Sequence, residues 1–274
     1  MNLTNILNMF SYSFVIRAFI VGIFVSLCAA LLGVILVLKR YSLIGHGLAD
    51  IGFASLSLAL ALGISPLLFS IPVIIIASFI IMYISQNKNI NGDVAIGIFS
   101  TSALSLGVIV TSITRGFNID VYNYMFGSIL AMNQNDLAFS VILSLVVLIL
   151  FIVFYNRLFL ITVDEQFAHT SGINVTVYQF LISFLTALTV VLGMRMMGTL
   201  LISSLIIFPA VIARKIVSSF RSLVILSAVF SIVCFILGMI ASFIFNTPTG
   251  ATVVAVNVIV LAIVSIFRRI FSKC

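Results

Sequence analysis

His46 and Asp50 place an imidazole and a carboxylate four residues apart in the apolar stretch RYSLIGHGLADIGFASLSLAL, Arg40 to Leu60. The stretch is long enough to cross a bilayer as a helix, and at helical spacing the two side chains lie one turn apart on a single face. An ionisable group inside a membrane span is costly and as a rule faces a protein interior or a pathway, paired with something. An imidazole nitrogen and a carboxylate oxygen supply half of a tetrahedral site for zinc, and they also suit manganese or iron. One chain offers only these two ligands on this helix. The metal reading therefore requires a homodimer, in which a two-fold axis brings two histidines and two aspartates to one seam. Two other readings use the same pair: a proton relay coupled to a solute, and a structural hydrogen bond that knits a helix contact. The neighbours Gly45, Gly47, Ala49, Gly52, Ala54, Ser55 and Ser57 are small, which lets another helix, from this chain or a second copy, approach closely. With Lys39 and Arg40 at the membrane edge, a rise of about 1.5 Å per residue puts the pair roughly 10 to 15 Å deep, near the midplane of a core about 30 Å thick. Transport sites are commonly built at that depth.

The elements that must position this pair are membrane helices. Of the 274 residues, 63% are hydrophobic and 7% charged, where a soluble domain carries about a quarter charged residues. The composition is that of an all-α integral membrane protein. Apolar segments run from Ala18 to Leu38, Leu43 to Gly63, Ser65 to Ser85, Val94 to Thr114, Leu137 to Tyr155, Val177 to Met194, Met196 to Ala213, Ser222 to Phe245 and Gly250 to Phe267. Each is close to the roughly 20 residues a spanning helix needs, so eight or nine transmembrane helices are expected. The Met196 to Ala213 segment is short and contains Gly198 and Pro209, which predicts a broken or tilted span. Met1 to Arg17 suits an interfacial helix, and Tyr122 to Met132 a re-entrant or interfacial piece.

The net charge of +7 comes from basic residues scattered singly or in pairs at the ends of apolar runs, which is a topology signal and not a nucleic-acid surface. If the helices alternate, Lys39, Arg40, Lys88, Arg157, Arg214, Lys215, Arg221, Arg268, Arg269 and Lys273 share one side, and Arg17, Arg115 and Arg195 the other. The first side is then cytoplasmic, with the C terminus inside. The first basic residue, Arg17, precedes a run of full spanning length, so no cleaved signal peptide is expected. Cys28, Cys234 and Cys274 have no CxxC spacing and predict neither a disulfide framework nor a thiolate metal site.

A second informative stretch is DEQFAHTSGINV, Asp164 to Val175. Asp164 and Glu165 suit the start of a short helix, Phe167 gives it an apolar contact, and Gly172 suits its end. Such a helix either docks into a groove of a cytoplasmic partner or is a plain connector. His169 reads as a solvated side chain and Asp93 as a helix N-terminal carboxylate. Asp120 and Asp136 fall outside the membrane, where they attract cations or simply sit in a solvated loop. The chain has no G-x-x-x-x-G-K-[ST] loop, so an ATP-driven process would need a separate ATP-binding subunit. The H-E-x-x-H pattern of an intramembrane metallohydrolase is also absent.

Arg40, Ser42 to Gly45, Gly47 and Leu48 resemble the R-x-S-L-I-G-D-x-L-x-H signature of the membrane permease in bacterial zinc and manganese ABC importers. Asp93 to Gly97 (DVAIG), Phe126 to Leu130 (FGSIL), Asp164 to Gly172, and Met196 to Ala210 (MMGTLLISSLIIFPA) follow in that family's order. The resemblance implies a single permease domain over residues 1–274, working as a homodimer with cytoplasmic ATPase subunits and an extracytoplasmic metal-binding protein in the bacterial plasma membrane. It implies no enzyme activity in this chain, no permanently bound cofactor and no nucleic-acid partner. His46 and Asp50 become the ligands of transported zinc, or of manganese or iron. Asp164 to Val175 becomes the coupling helix, with Asp164, Glu165, Phe167, Ala168 and Gly172 in the match. The family's order is aspartate first and histidine four residues later; here His46 comes first, so the two ligands exchange depth while keeping a shared face. Zinc is favoured by the MRMMGTLLISSLIIFP block. The rival to this importer is a proton-coupled secondary transporter using His46 and Asp50 as a relay.

Overall fold

In a computed structural model, residues 13–85, 92–114 and 134–271 are described, and all their regular elements are α-helices. In lipid every backbone N–H and C=O must be satisfied within the segment, and a helix does this alone. The helices are α1 (Ser13–Leu38), α2 (Ile44–Ala61), α3 (Pro66–Ser85), α4 (Gly92–Ile113), α5 (Gln134–Val153), α6 (Tyr155–Val163), α7 (Glu165–Thr170), α8 (Val175–Met197), α9 (Thr199–Ile216), α10 (Phe220–Phe245) and α11 (Thr249–Phe271). Eight of them are long and apolar enough to cross a membrane. The stretch Leu137–Val153 and Tyr155–Val163, bent by 68°, makes up to nine. Ser13 to Arg17 continue α1 without a break; the rest of the Met1 to Arg17 segment, and Tyr122 to Met132, lie outside the described residues.

Punctuation decides where the helices stop. α1 ends with Arg40 in the left-handed region, φ 63, while the amide of Tyr41 donates to the carbonyl of Leu36 at 2.8 Å and that of Arg40 to Val37 at 3.3 Å. This is the paired-bond turn that usually carries glycine. Gly63 (φ 68) ends α2 in the same way, with Ile64 bonding back to Ala59 at 2.9 Å. The expected break near Met196 lies at Gly198, whose φ of 84 and ψ of 163 separate α8 from α9. This backbone region is essentially open to glycine alone. α9 then continues through Pro209 to Ile216.

α1, α2, α8 and α9 are the most buried helices, with α10 and α11 packed on one side and α3 and α4 on another. Close approach, more than side-chain bulk, holds helices together where lipid is as apolar as leucine. A Cβ on Gly33 would lie 2.0 Å from the carbonyl oxygen of Ile206, so α1 and α9 touch backbone to backbone there. α10 is clasped to α1 by Ser231 Oγ, which donates to the Ser26 carbonyl at 2.9 Å, and by Ser227 Oγ to Ala30 at 3.3 Å. Ser55 of α2 and Ser70 of α3 share a buried hydroxyl–hydroxyl bond of 2.9 Å.

Candidate functional site

α2 carries the histidine and aspartate in its first two turns. Because the turn at Arg40 uses up residues 39–43, the helix begins at Ile44 and not at Arg40. At about 1.5 Å per residue His46 then stands only about 3 Å from the helix start and Asp50 about 9 Å, along an element about 27 Å long. Asp50 thus lies a third of the way along α2 and His46 in its first turn.

The two side chains do share a face. His46 Nε2 and Asp50 Oδ2 are 3.8 Å apart, with the imidazole 54% exposed and the carboxylate 12%. That separation is too long for a hydrogen bond. One ion bound to both atoms at ordinary zinc lengths would set them about 3.4 Å apart, a small side-chain adjustment away. Among the described residues there is no group of three or more His, Cys, Asp or Glu side chains that could hold a metal ion.

Asp50 is not held by histidine. Its Oδ2 accepts a hydrogen bond from Ser100 Oγ, on the facing turn of α4. The approach is possible because Gly47 has no side chain: a Cβ there would meet Ile96 Cγ2 at 2.6 Å and Ser100 Cβ at 3.8 Å. On the other side, a Cβ on Gly45 would meet Ile206 Cδ1 of α9 at 2.7 Å. The small residues flanking the pair thus admit α4 and α9 of the same chain. Ser100 escapes sequence reasoning because serine is common in membrane helices and its pairing spans 50 residues.

The second stretch folds as the short helix α7. Asp164 caps it, accepting from the Phe167 amide at 2.9 Å, and Gly172 (φ 78) ends it, with Ile173 bonding back to Ala168 at 3.1 Å. The side chains split between two faces. Ala168 is fully buried, Phe167 is 56% exposed, and His169 stands exposed in the last turn. Glu165 bridges two other elements: its Oε2 lies 3.2 Å from Lys39 Nζ at the end of α1, and its Oε1 accepts from Gln179 Nε2 of α8 at 2.9 Å. The lysine is 8% exposed and the glutamate 54%. Burial pushes the Lys39 amine below its ordinary range, and the Glu165 charge opposes that shift. Burial and the same carboxylate both raise the Tyr41 phenol. Sequence reasoning took Lys39 only as a topology marker and passed over Gln179.

Of the remaining candidates, Asp93 sits in the first turn of α4, and its Oδ1 is buried with no hydrogen-bond partner among the described residues. Asp120 and the side chain of Asp136 lie outside the described residues. Cys28 and Cys234 are buried free thiols; Cys28 Sγ donates to the Ser144 carbonyl at 3.4 Å.

The model of the ABC 3 transport family matches residues 11–268. The chain belongs to that family. The motif-based expectation of a zinc and manganese-type permease agrees with its relatives. It is 32% identical to the high-affinity zinc uptake system membrane protein ZnuB of Haemophilus influenzae, over 92% of this chain and 96% of that one. It is 30% identical to the manganese import system permease protein ScaB of Streptococcus gordonii, over 92% and 90%. Among solved structures it superposes on PsaBC from Streptococcus pneumoniae in complex with Fab, with a TM-score of 0.84, 29% identity, and 96% and 95% of the two chains covered. This member of the ABC 3 family shares the helical permease fold of that structure.

Proposed function

We propose that the protein is the membrane subunit of an ATP-driven importer that carries a divalent transition metal, preferentially zinc, into the bacterial cytoplasm. The observation that carries this reading is the pairing of His46 and Asp50 on one face of α2, with the aspartate buried and oriented by Ser100, in a chain of the ABC 3 transport family. One chain brings one nitrogen and one oxygen donor, and a half-exposed imidazole on a spanning helix leaves room for more. A second copy across a two-fold axis supplies two more donors and a second carboxylate, giving a four-ligand set that balances the dication. Nitrogen and oxygen donors in a tetrahedron suit zinc; manganese and iron are the alternative cargoes. The relatives include both a zinc and a manganese system.

An extracytoplasmic binding protein delivers the ion, the paired site holds it briefly, and cytoplasmic ATPase subunits drive the change in access. Two ligands per chain favour release as well as capture. α7 offers those ATPases an exposed Phe167 on a capped helix, the kind of apolar projection a groove receives. The ion pair between Lys39 and Glu165 puts the α1–α2 turn and α7 at the same end of the bundle. The basic residues gathered at that end support a cytoplasmic assignment for it, with the C terminus inside.

The test is uptake of radiolabelled zinc and manganese into vesicles carrying the whole complex, for the natural chain and Asp50→Ala, with the ATPase either active or inactivated. Zinc uptake lost on both perturbations, with assembly intact, is the expected result. Uptake that ignores Asp50→Ala moves the site elsewhere. Uptake that survives ATPase loss and collapses with the proton gradient transfers the pair to a proton relay.

A further inference from the structure

The pair Lys39 and Glu165 joins two segments that are 126 residues apart in sequence and have different tasks in the reading above. Glu165 belongs to α7, and both of its carboxylate oxygens are engaged by other helices of the permease or their ends, one by Lys39 and one by Gln179, although the side chain is half-exposed. Its partner Lys39 is the residue after α1, nearly buried, and stands seven positions before His46. The chain between them is stiff. Arg40 is fixed in a left-handed turn by the Tyr41–Leu36 and Arg40–Val37 bonds, and Ile44 bonds back to Tyr41 at 3.1 Å, so α2 starts directly from that turn. Gly47 then bonds to Leu43 at 2.9 Å, inside the turn that carries His46. α7 is thus connected to the His46–Asp50 turn through one ion pair and one hydrogen-bonded bend.

We propose that Glu165 and Lys39 are positioning residues that transmit movement of α7 to α2 and so couple the ATPase cycle to the metal site. This proposal rests on the importer reading. Glu165 acts on the permease interior and not by touching the ATPase, whose contact falls to the outward side of α7 with Phe167. A buried lysine facing a single carboxylate is suited to this task. Losing Glu165 leaves the buried lysine uncompensated, whereas replacing both with apolar residues of similar volume is commonly tolerated.

The test uses the whole transporter in proteoliposomes, with metal moved and ATP hydrolysed measured on the same sample for the natural chain, Glu165→Gln, Lys39→Met and the double variant Lys39→Met/Glu165→Met. In the double variant, which leaves no lone charge, assembly and thermal midpoint stay near those of the natural chain. Zinc moved per ATP nevertheless falls by about tenfold, within the roughly 5- to 150-fold span of a single coupling element. The singles show the same loss of ratio. A parallel fall in both rates with the ratio unchanged overturns the proposal, because a docking or folding defect lowers both together. So does a double variant with the natural ratio. If the natural chain itself moves no metal on ATP, the importer reading fails and not merely the link.

Discussion

Ser100→Ala isolates the bond that orients Asp50. The hydroxyl of α4 donates to Oδ2 of a carboxylate that is 12% exposed, so water cannot readily take its place. A hydrogen bond to a charged group contributes about 1.5–3 kcal/mol, equivalent to roughly 10- to 150-fold in an equilibrium constant. Removing a partner behind a metal ligand commonly costs about 10- to 100-fold in affinity. In the two-fold site proposed above the change occurs twice, so a rise of at least about tenfold in the half-saturating zinc concentration is expected. The hydroxyl is small and the neighbouring packing rests on Gly47 and Ile96, so the amount of assembled transporter should change little. The assay is the concentration dependence of ATP-driven zinc uptake in proteoliposomes, with Ser100→Thr, which keeps the hydroxyl, as the control. An unchanged half-saturation in Ser100→Ala would refute the role given to this bond. Equal damage from alanine and threonine would point to packing instead.

Three further outcomes follow from the geometry. Gly33→Ala forces a methyl into a backbone carbonyl 2.0 Å away, and overpacking of this kind costs about 1–3 kcal/mol or more; a lowered thermal midpoint in detergent, with α1 and α9 pushed apart, is the check. Phe167→Ala removes the exposed apolar projection of α7; binding of the ATPase subunits, read by co-purification, should weaken while the isolated permease keeps its thermal midpoint. Burial lowers Lys39 below its ordinary value of 10.5 while Glu165 raises it, so the unfolded chain takes up the Lys39 proton more readily than the folded one. Stability therefore rises with pH across the interval just below the ordinary lysine range. Glu165→Gln should extend that interval to lower pH, visible as a steeper climb of the thermal midpoint on the alkaline side.

Much of this was legible in the residues. Spans follow from apolar length, and the weak point of the Met196 to Ala213 segment was visible as glycine. Local stereochemistry places that break at Gly198 and leaves Pro209 inside a helix. The ends of α7 were readable from Asp164 and Gly172 because caps depend on neighbours in sequence. What was not legible depends on partners far along the chain. Nothing near Asp50 announces Ser100, and nothing near Glu165 announces its bonds to Lys39 and Gln179. The left-handed turn at Arg40 was not legible either, because an arginine gives no warning of one.

That arginine answers two demands at once. The same paired-bond turn ends α2 at Gly63 and α7 at Gly172, where glycine takes a positive φ without steric cost. At Arg40 a residue with a side chain takes it, at a penalty on the order of 1 kcal/mol. Glycine there would relax the backbone but delete a cation from the Lys39–Arg40 pair, and basic residues beside a span bias which way it inserts. Residue 40 is thus a position where a fixed positive charge and a relaxed backbone call for different amino acids, and the sequence carries the charge.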